Sequence, residues 1–127
     1  MVNKNPLRDK EIAIIAYAEL PNQRGSGKRP YEFGAEIMAQ LIGRSGIEHS
    51  DIDGLAVISP IAEAGNTFYS IAMADTLGLA PRWSQVSDIG GCSPIGNVAR
   101  AAAAIQSGQC EMVMCIAADA SSAGVAG

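Results

Sequence analysis

A chain of 127 residues, 48% hydrophobic and 17% charged, has the composition of a single buried-core unit and excludes a disordered tail. Aromatics at 5% make that core aliphatic and alanine-rich. Nine basic against 13 acidic side chains, a net charge of -4, argue against nucleic acid or an anionic membrane as main partner, since both select clustered positive charge.

The first apolar run, IAIIAYA at 12–18, is short for a signal segment, and Asp9 and Glu11 stand where basic residues belong. Rich in β-branched residues and apolar on both faces, 11–18 reads as a central parallel strand. A glycine- and proline-bearing loop then leads to Tyr31, where Phe33, Ile37 and Leu41 recur at helical spacing until Gly43 or Gly46. Leu55 to Ile58 is a short buried strand. Asn66 or Thr67 is placed to cap a second helix carrying Phe68, Ile71 and Ala72 and ending at Gly78. Residues 83–88 form a third strand.

Ile89-Gly90-Gly91-Cys92-Ser93-Pro94 then reads as a strand-to-helix turn with Ser93 as cap and Pro94 at the first helical position. Ile95, Val98, Ala102 and Ile105 make one apolar stripe on that helix. Residues 111–118 are a last strand, apolar on both faces. The order β-α-β-α-β-α-β predicts an α/β fold with a parallel sheet and right-handed crossovers. The tail DASSAGVAG at 119–127 is too short to cover the last strand, so a fragment, or a subunit completed by another chain, is expected. No run reaches the length of a membrane span, and a cytoplasmic location is expected.

Cys92, Cys110 and Cys115 lack CxxC spacing, and His49 is the one histidine, so reduced thiols and no metal site are expected. Cys92 sits where open α/β sheets gather function, at a glycine turn between a strand's carboxyl end and a helix start. There the helix dipole favours a thiolate and main-chain amides favour an oxyanion on an acylated sulfur. The other reading is a small buried hydrophobe, which Cys110 and Cys115 fit. His49 falls on the amino-end rim of the sheet, roughly a strand's length from Cys92, so any base comes from elsewhere. Gly25-Ser26-Gly27-Lys28 fails both phosphate-loop fingerprints and reads as a mobile surface loop over 22–29. The run from Gly91 to Gly96 has a phosphate loop's gap, but Asn97-Val98 replaces its Lys-Ser/Thr pair. Asp51 and Asp53 are explained by turn chemistry.

Three stretches together resemble the thiolase superfamily: IAIIAYAELP, YEFGAEIMAQLIGRSGIEHSDIDGLAV and SDIGGCSPIGNVARAAAAIQSGQCEMVMCIAADASS. The likeness covers the whole chain, 1–127, as the N-terminal part of a thiolase-like domain whose C-terminal half is absent. It is nearer the lipid-transfer-protein-like thiolase and acetyl-CoA acetyltransferase branch, because Cys92-Ser93-Pro94-Ile95-Gly96 stands where classical acetoacetyl-CoA thiolases usually have Cys-Ala-Ser-Gly. The resemblance implies an acyltransferase of lipid metabolism in which Cys92 accepts the acyl group of a 3-oxoacyl-CoA, in cleavage or in the reverse condensation. It implies coenzyme A thioester as substrate with no further cofactor, and a histidine and second cysteine supplied from outside this chain. It implies a homodimer joined through the strand at 83–88, and a chain inactive by itself. The same branch leaves two alternatives: an aldolase or lipid-transfer protein handling CoA thioesters without an acyl-cysteine, or a non-catalytic interaction subunit.

Overall fold

The computed structural model describes residues 11–120. Its elements are α1 (Pro30–Ser45), β1 (Gly54–Ile58), α2 (Tyr69–Leu77), β2 (Trp83–Ser87), α3 (Ser93–Gln106) and β3 (Val113–Ile116). Short 3-10 turns at His49–Asp51 and Ile61–Glu63 flank β1. The strands form one parallel sheet in the order β2-β1-β3, so the chain is α/β as expected, with a smaller sheet. Gly54 of β1 is in register with Trp83 of β2 and Val113 of β3, and the three strands start level.

The expected strand at 11–18 is absent. Residues 11–20 carry neither helix nor strand, and Ile14 and Tyr17 are 80% and 77% exposed. The physical reason lies in the sheet: β1 pairs directly with β3, which leaves no slot between them.

Alternation along the strands separates two faces. Leu55, Val57, Met114 and Ile116 join Tyr69, Met73 and Leu77 of α2 in the core, with Phe33, Ile37 and Leu41 of α1 packed against it. Each fully buried side chain of this size contributes about 1.5–3 kcal/mol. Gly34 brings α1 close, because a Cβ there would lie 2.8 Å from Met73 Sδ. On α2, Tyr69, Met73 and Leu77 turn inward, whereas Phe68 and Ile71 are exposed, contrary to the expectation that these two carry the helix.

The opposite face is covered by α3, and here the first half of the expected stripe turns outward. Ser93, Asn97, Ala101 and Ala104 are buried, while Ile95 is 76% exposed, Val98 is exposed too, and Ala102 and Ile105 are half-buried. The sheet explains the outward turn of the first two. Gln85 and Ser87 point from β2 toward α3, and Ser87 Oγ donates to Asn97 Oδ1 at 2.5 Å while Gln85 Nε2 donates to the same oxygen at 3.0 Å. A polar strand face selects a polar helix face. The last strand is covered on one face, since Met114 and Ile116 are buried; Val113 and Cys115 are half-buried. The tail beyond 120 lies outside the described residues.

Candidate functional site

The turn from β2 to α3 is built by short-range hydrogen bonds. Gly90 has φ +67°, a left-handed conformation that a side chain would strain. The Ser93 amide donates to the Gly90 carbonyl at 3.0 Å, and the Ile89 amide donates to Ser93 Oγ at 2.9 Å. Ser93 therefore reaches back across the turn rather than capping the helix. Cys92 occupies the cap position, with φ -82° and ψ -8°, and Pro94 lies just inside the helix. Gly96 admits the Ile89 side chain over the first turn, where a Cβ would stand 2.9 Å from Ile89 Cδ1.

Cys92 is exposed at the carboxyl end of the sheet, whereas Cys110 is buried and Cys115 half-buried. Burial pushes both of those thiols upward, and Asp53 adds to the effect at Cys110. Of the three cysteines only Cys92 combines access with a helix start. The amides expected to hold an oxyanion are fewer than the sequence implies. That of Ser93 is taken by Gly90, Pro94 has none, and that of Gly96 donates to the Cys92 carbonyl at 2.9 Å. The amide of Ile95 remains.

His49 lies on the opposite rim, before β1, and its Nε2 sits 2.6 Å from the Leu77 carbonyl at the end of α2. Half-buried and hydrogen-bonded, it is a structural link rather than the solvated turn residue expected. A five-residue strand separates the rims by about 16 Å, so His49 and Cys92 are not brought together. Asp51 accepts the Glu48 amide at 2.8 Å, as turn chemistry requires. Asp53 does more, accepting the Glu111 amide at 2.9 Å and the Met112 amide at 2.8 Å.

The glycine loop is tied to α1 at its end. Lys28 pairs with Glu36 and lies 5.9 Å over the Phe33 ring, and Arg29 pairs with Glu63. Both cations are engaged by carboxylates, which agrees with rejecting a phosphate loop.

A cavity of about 470 Å³ opens at the carboxyl end of β3. Leu20, Gln23, Ser26, Phe33 and Ile37 line it together with residues 117–120, and Cys92 is not on its wall. Asp119 accepts the Ile61 and Ala62 amides at 3.0 and 3.1 Å, joining the exits of β1 and β3 beside it.

Two clusters escaped the sequence reading. Glu63, with a side chain 9% exposed, gathers Arg29, Tyr31 at 3.3 Å and Asn66 at 3.2 Å. The second is Gln85, Ser87, Asn97 and Arg100, in which Arg100 Nη1 donates to Ser87 Oγ at 3.2 Å. Its signal was the alternation of WSQVS, whose Gln85 and Ser87 need a polar partner. The first cluster joins residues more than 30 apart and left no local signal.

Among the described residues no group of three or more His, Cys, Asp or Glu side chains is arranged to hold a metal ion. No helix among them is long and apolar enough to cross a membrane. Compared with protein-family models and with curated proteins, the sequence matches none.

Proposed function

We propose that this chain carries the nucleophile of a thiolase-like acyl-CoA acyltransferase, with Cys92 as the acyl acceptor. The observation that supports it is the exposed Cys92 sulfur at the glycine turn between β2 and α3, where Cys110 and Cys115 are by contrast buried and half-buried elsewhere in the fold. The Cys92 thiolate attacks the keto carbon of a 3-oxoacyl-CoA, and the bond between that carbon and the α-carbon breaks. The α-carbon leaves as the enolate of acetyl-CoA and takes a proton from an acid. The acyl group stays on sulfur as a thioester until the thiol of a second CoA displaces it, giving an acyl-CoA two carbons shorter. With His49 bound to Leu77, the base and acid belong to a completing segment or partner chain, and the chain alone is inactive. The same reading takes the protein as cytoplasmic and homo-oligomeric.

A second reading is favoured by one observation: the cavity at the end of β3 does not include Cys92. In it the protein is an aldolase or lipid-transfer protein that holds a CoA thioester without acylating the sulfur. Incubation of the complete protein, this chain with its completing segment or partner chain, with a 3-oxoacyl-CoA, followed by intact mass and peptide mapping, separates the two. The acyltransferase reading expects an acyl adduct on Cys92 and loss of transfer in Cys92→Ala. No adduct on Cys92, with transfer retained by Cys92→Ala, overturns it.

A further inference from the structure

We infer that residues 11–20 form a strap that docks on the free edge of β3 as a fourth parallel strand and closes the cavity beside it. Three independent observations carry this.

The first is position. Arg44 Nη1, in the last turn of α1, donates to the Tyr17 carbonyl at 2.9 Å, while Ala18 to Gln23 line the cavity with Phe33 and Ile37 of α1. The strap thus runs alongside α1 from its end toward its start. α1 runs opposite to the strands, because its end leads directly to the start of β1 and its start meets Glu63 beyond β1's exit. The strap therefore runs parallel to β3. It also lies on the β3 side, since residues 117–120 share its cavity and α1 sits over Ile116, 3.8 Å from a Cβ at Gly34.

The second is an open edge. Among the described residues β3 pairs only with β1. Met112 O accepts the Gly54 amide at 3.0 Å, so ladder alternation turns Met114 and Ile116 toward β1 and turns the amides of Val113 and Cys115 outward. Unpaired edges of this kind recruit strands.

The third is the strap's own chemistry. From Ile15 to Leu20 exposure alternates strictly: Ala16, Ala18 and Leu20 are half-buried, while Ile15, Tyr17 and Glu19 are exposed. That is the period of a strand with one face already turned in. Ile12, Ile14 and Ile15 favour extended backbone through their branching at Cβ. Docking shelters these apolar side chains and supplies the missing partners of Val113 and Cys115. It also draws the cavity wall formed by residues 18–20 toward the wall formed by 117–120. A ligand in the cavity and the strap are then coupled.

Hydrogen exchange on the full chain tests this. The amides of Val113, Cys115 and alternate strap residues should exchange roughly tenfold or more slowly than in unstructured peptide. Ile15→Pro and Ala16→Pro each delete one amide, and one of two adjacent amides faces β3. The variant that loses the amide facing β3 should undock the strap and so speed exchange at Cys115, whose own amide then loses its strap carbonyl, while the other leaves it slow, with α2 equally protected in both. Fast strap exchange beside a protected α2 overturns the inference, as does unchanged Cys115 exchange in both variants. Protection that increases with protein concentration overturns docking within one chain and assigns the edge to a second copy's strap.

Discussion

Asp53 and Met112 clasp each other twice: the Met112 amide donates to Asp53 Oδ1 at 2.8 Å, and the Asp53 amide donates to the Met112 carbonyl at 3.1 Å. The Asp53 carbonyl also accepts the Arg82 amide at 2.7 Å, so one residue ties the starts of all three strands. Replacement by alanine strands the amides of Glu111 and Met112. Asp53→Ala should cost about 1–3 kcal/mol, read as a lower urea midpoint, and Asp53→Asn, which keeps one acceptor oxygen, should cost less. The Arg82 ion pair at 3.8 Å is exposed and should add little, so Arg82→Ala should unfold near the parent midpoint.

Two glycines should respond differently to alanine. A Cβ at Gly54 would stand 2.7 Å from Val113 Cγ2 in β3 and 3.2 Å from the sulfur of Cys110, which is buried just before that strand, and neither short side chain has room to swing away. At Gly34 the close atoms belong to the end of Met73, which can swing away, and alanine favours the helix by up to about 1 kcal/mol. Gly54→Ala should destabilise by about 1–3 kcal/mol, and Gly34→Ala should fall within about 1 kcal/mol of neutral. Paired denaturation curves check both.

Iodoacetamide at neutral pH should label Cys92 first, with Cys110 and Cys115 lagging until the chain is unfolded. Mass mapping of a time course reads the order. Because burial holds the Cys110 and Cys115 thiols above their ordinary range, the folded chain keeps those protons longer than the unfolded one. Their contribution to stability is complete below the ordinary thiol range, about pH 8.5, and is lost as pH rises through the folded values. Replacing both with alanine or serine should flatten the alkaline fall in stability.

The acid limb should depend on Glu63. Burial pushes its carboxyl up, but hydrogen bonds from Arg29 and Asn66 and the Arg29 charge outweigh that and hold it below the ordinary carboxylate range. The stability it supplies is present above about pH 4 and is lost as pH falls through the folded value. Glu63→Gln should be less stable at neutral pH and should show a shallower decline on acidification. Urea midpoints from pH 3 to pH 7, on the order of five points, suffice to read the slopes.

Local signals carried the ends of α1 and α2 but not the start of α2, where Phe68 rather than Asn66 or Thr67 holds the cap position and Asn66 Oδ1 accepts the Phe68 amide at 3.0 Å. Gly46 and Gly78, at φ +71° and +66°, end α1 and α2 where their position in the sequence implied. The turn at Gly90-Gly91-Cys92 also lies at the strand-to-helix junction expected of it. What the sequence concealed was set by partners distant along the chain. The inward face of α3 follows from Gln85 and Ser87, so counting apolar residues on the helix alone selected Ile95 and Val98, which point outward. The run at 11–18 has every local mark of a strand, but pairing also needs an open position in the sheet, and β1 on β3 removed the central one. His49 looked solvated because Leu77 is 28 residues away.

The hydrogen bonds from Gln85 and Ser87 to Asn97 have a geometric consequence for Cys92. Asn97 lies five residues beyond Cys92 on a rigid helix, and its Oδ1 is gripped by two donors from β2. Apolar contacts tolerate rotation of a helix about its axis, but directional bonds do not. The azimuth of α3 is thereby indexed to the edge strand, and with it the direction in which the Cys92 sulfur leaves the turn. Slipping that helix by one residue, about 100° of rotation, would aim the thiol away from its present opening without changing any residue near it.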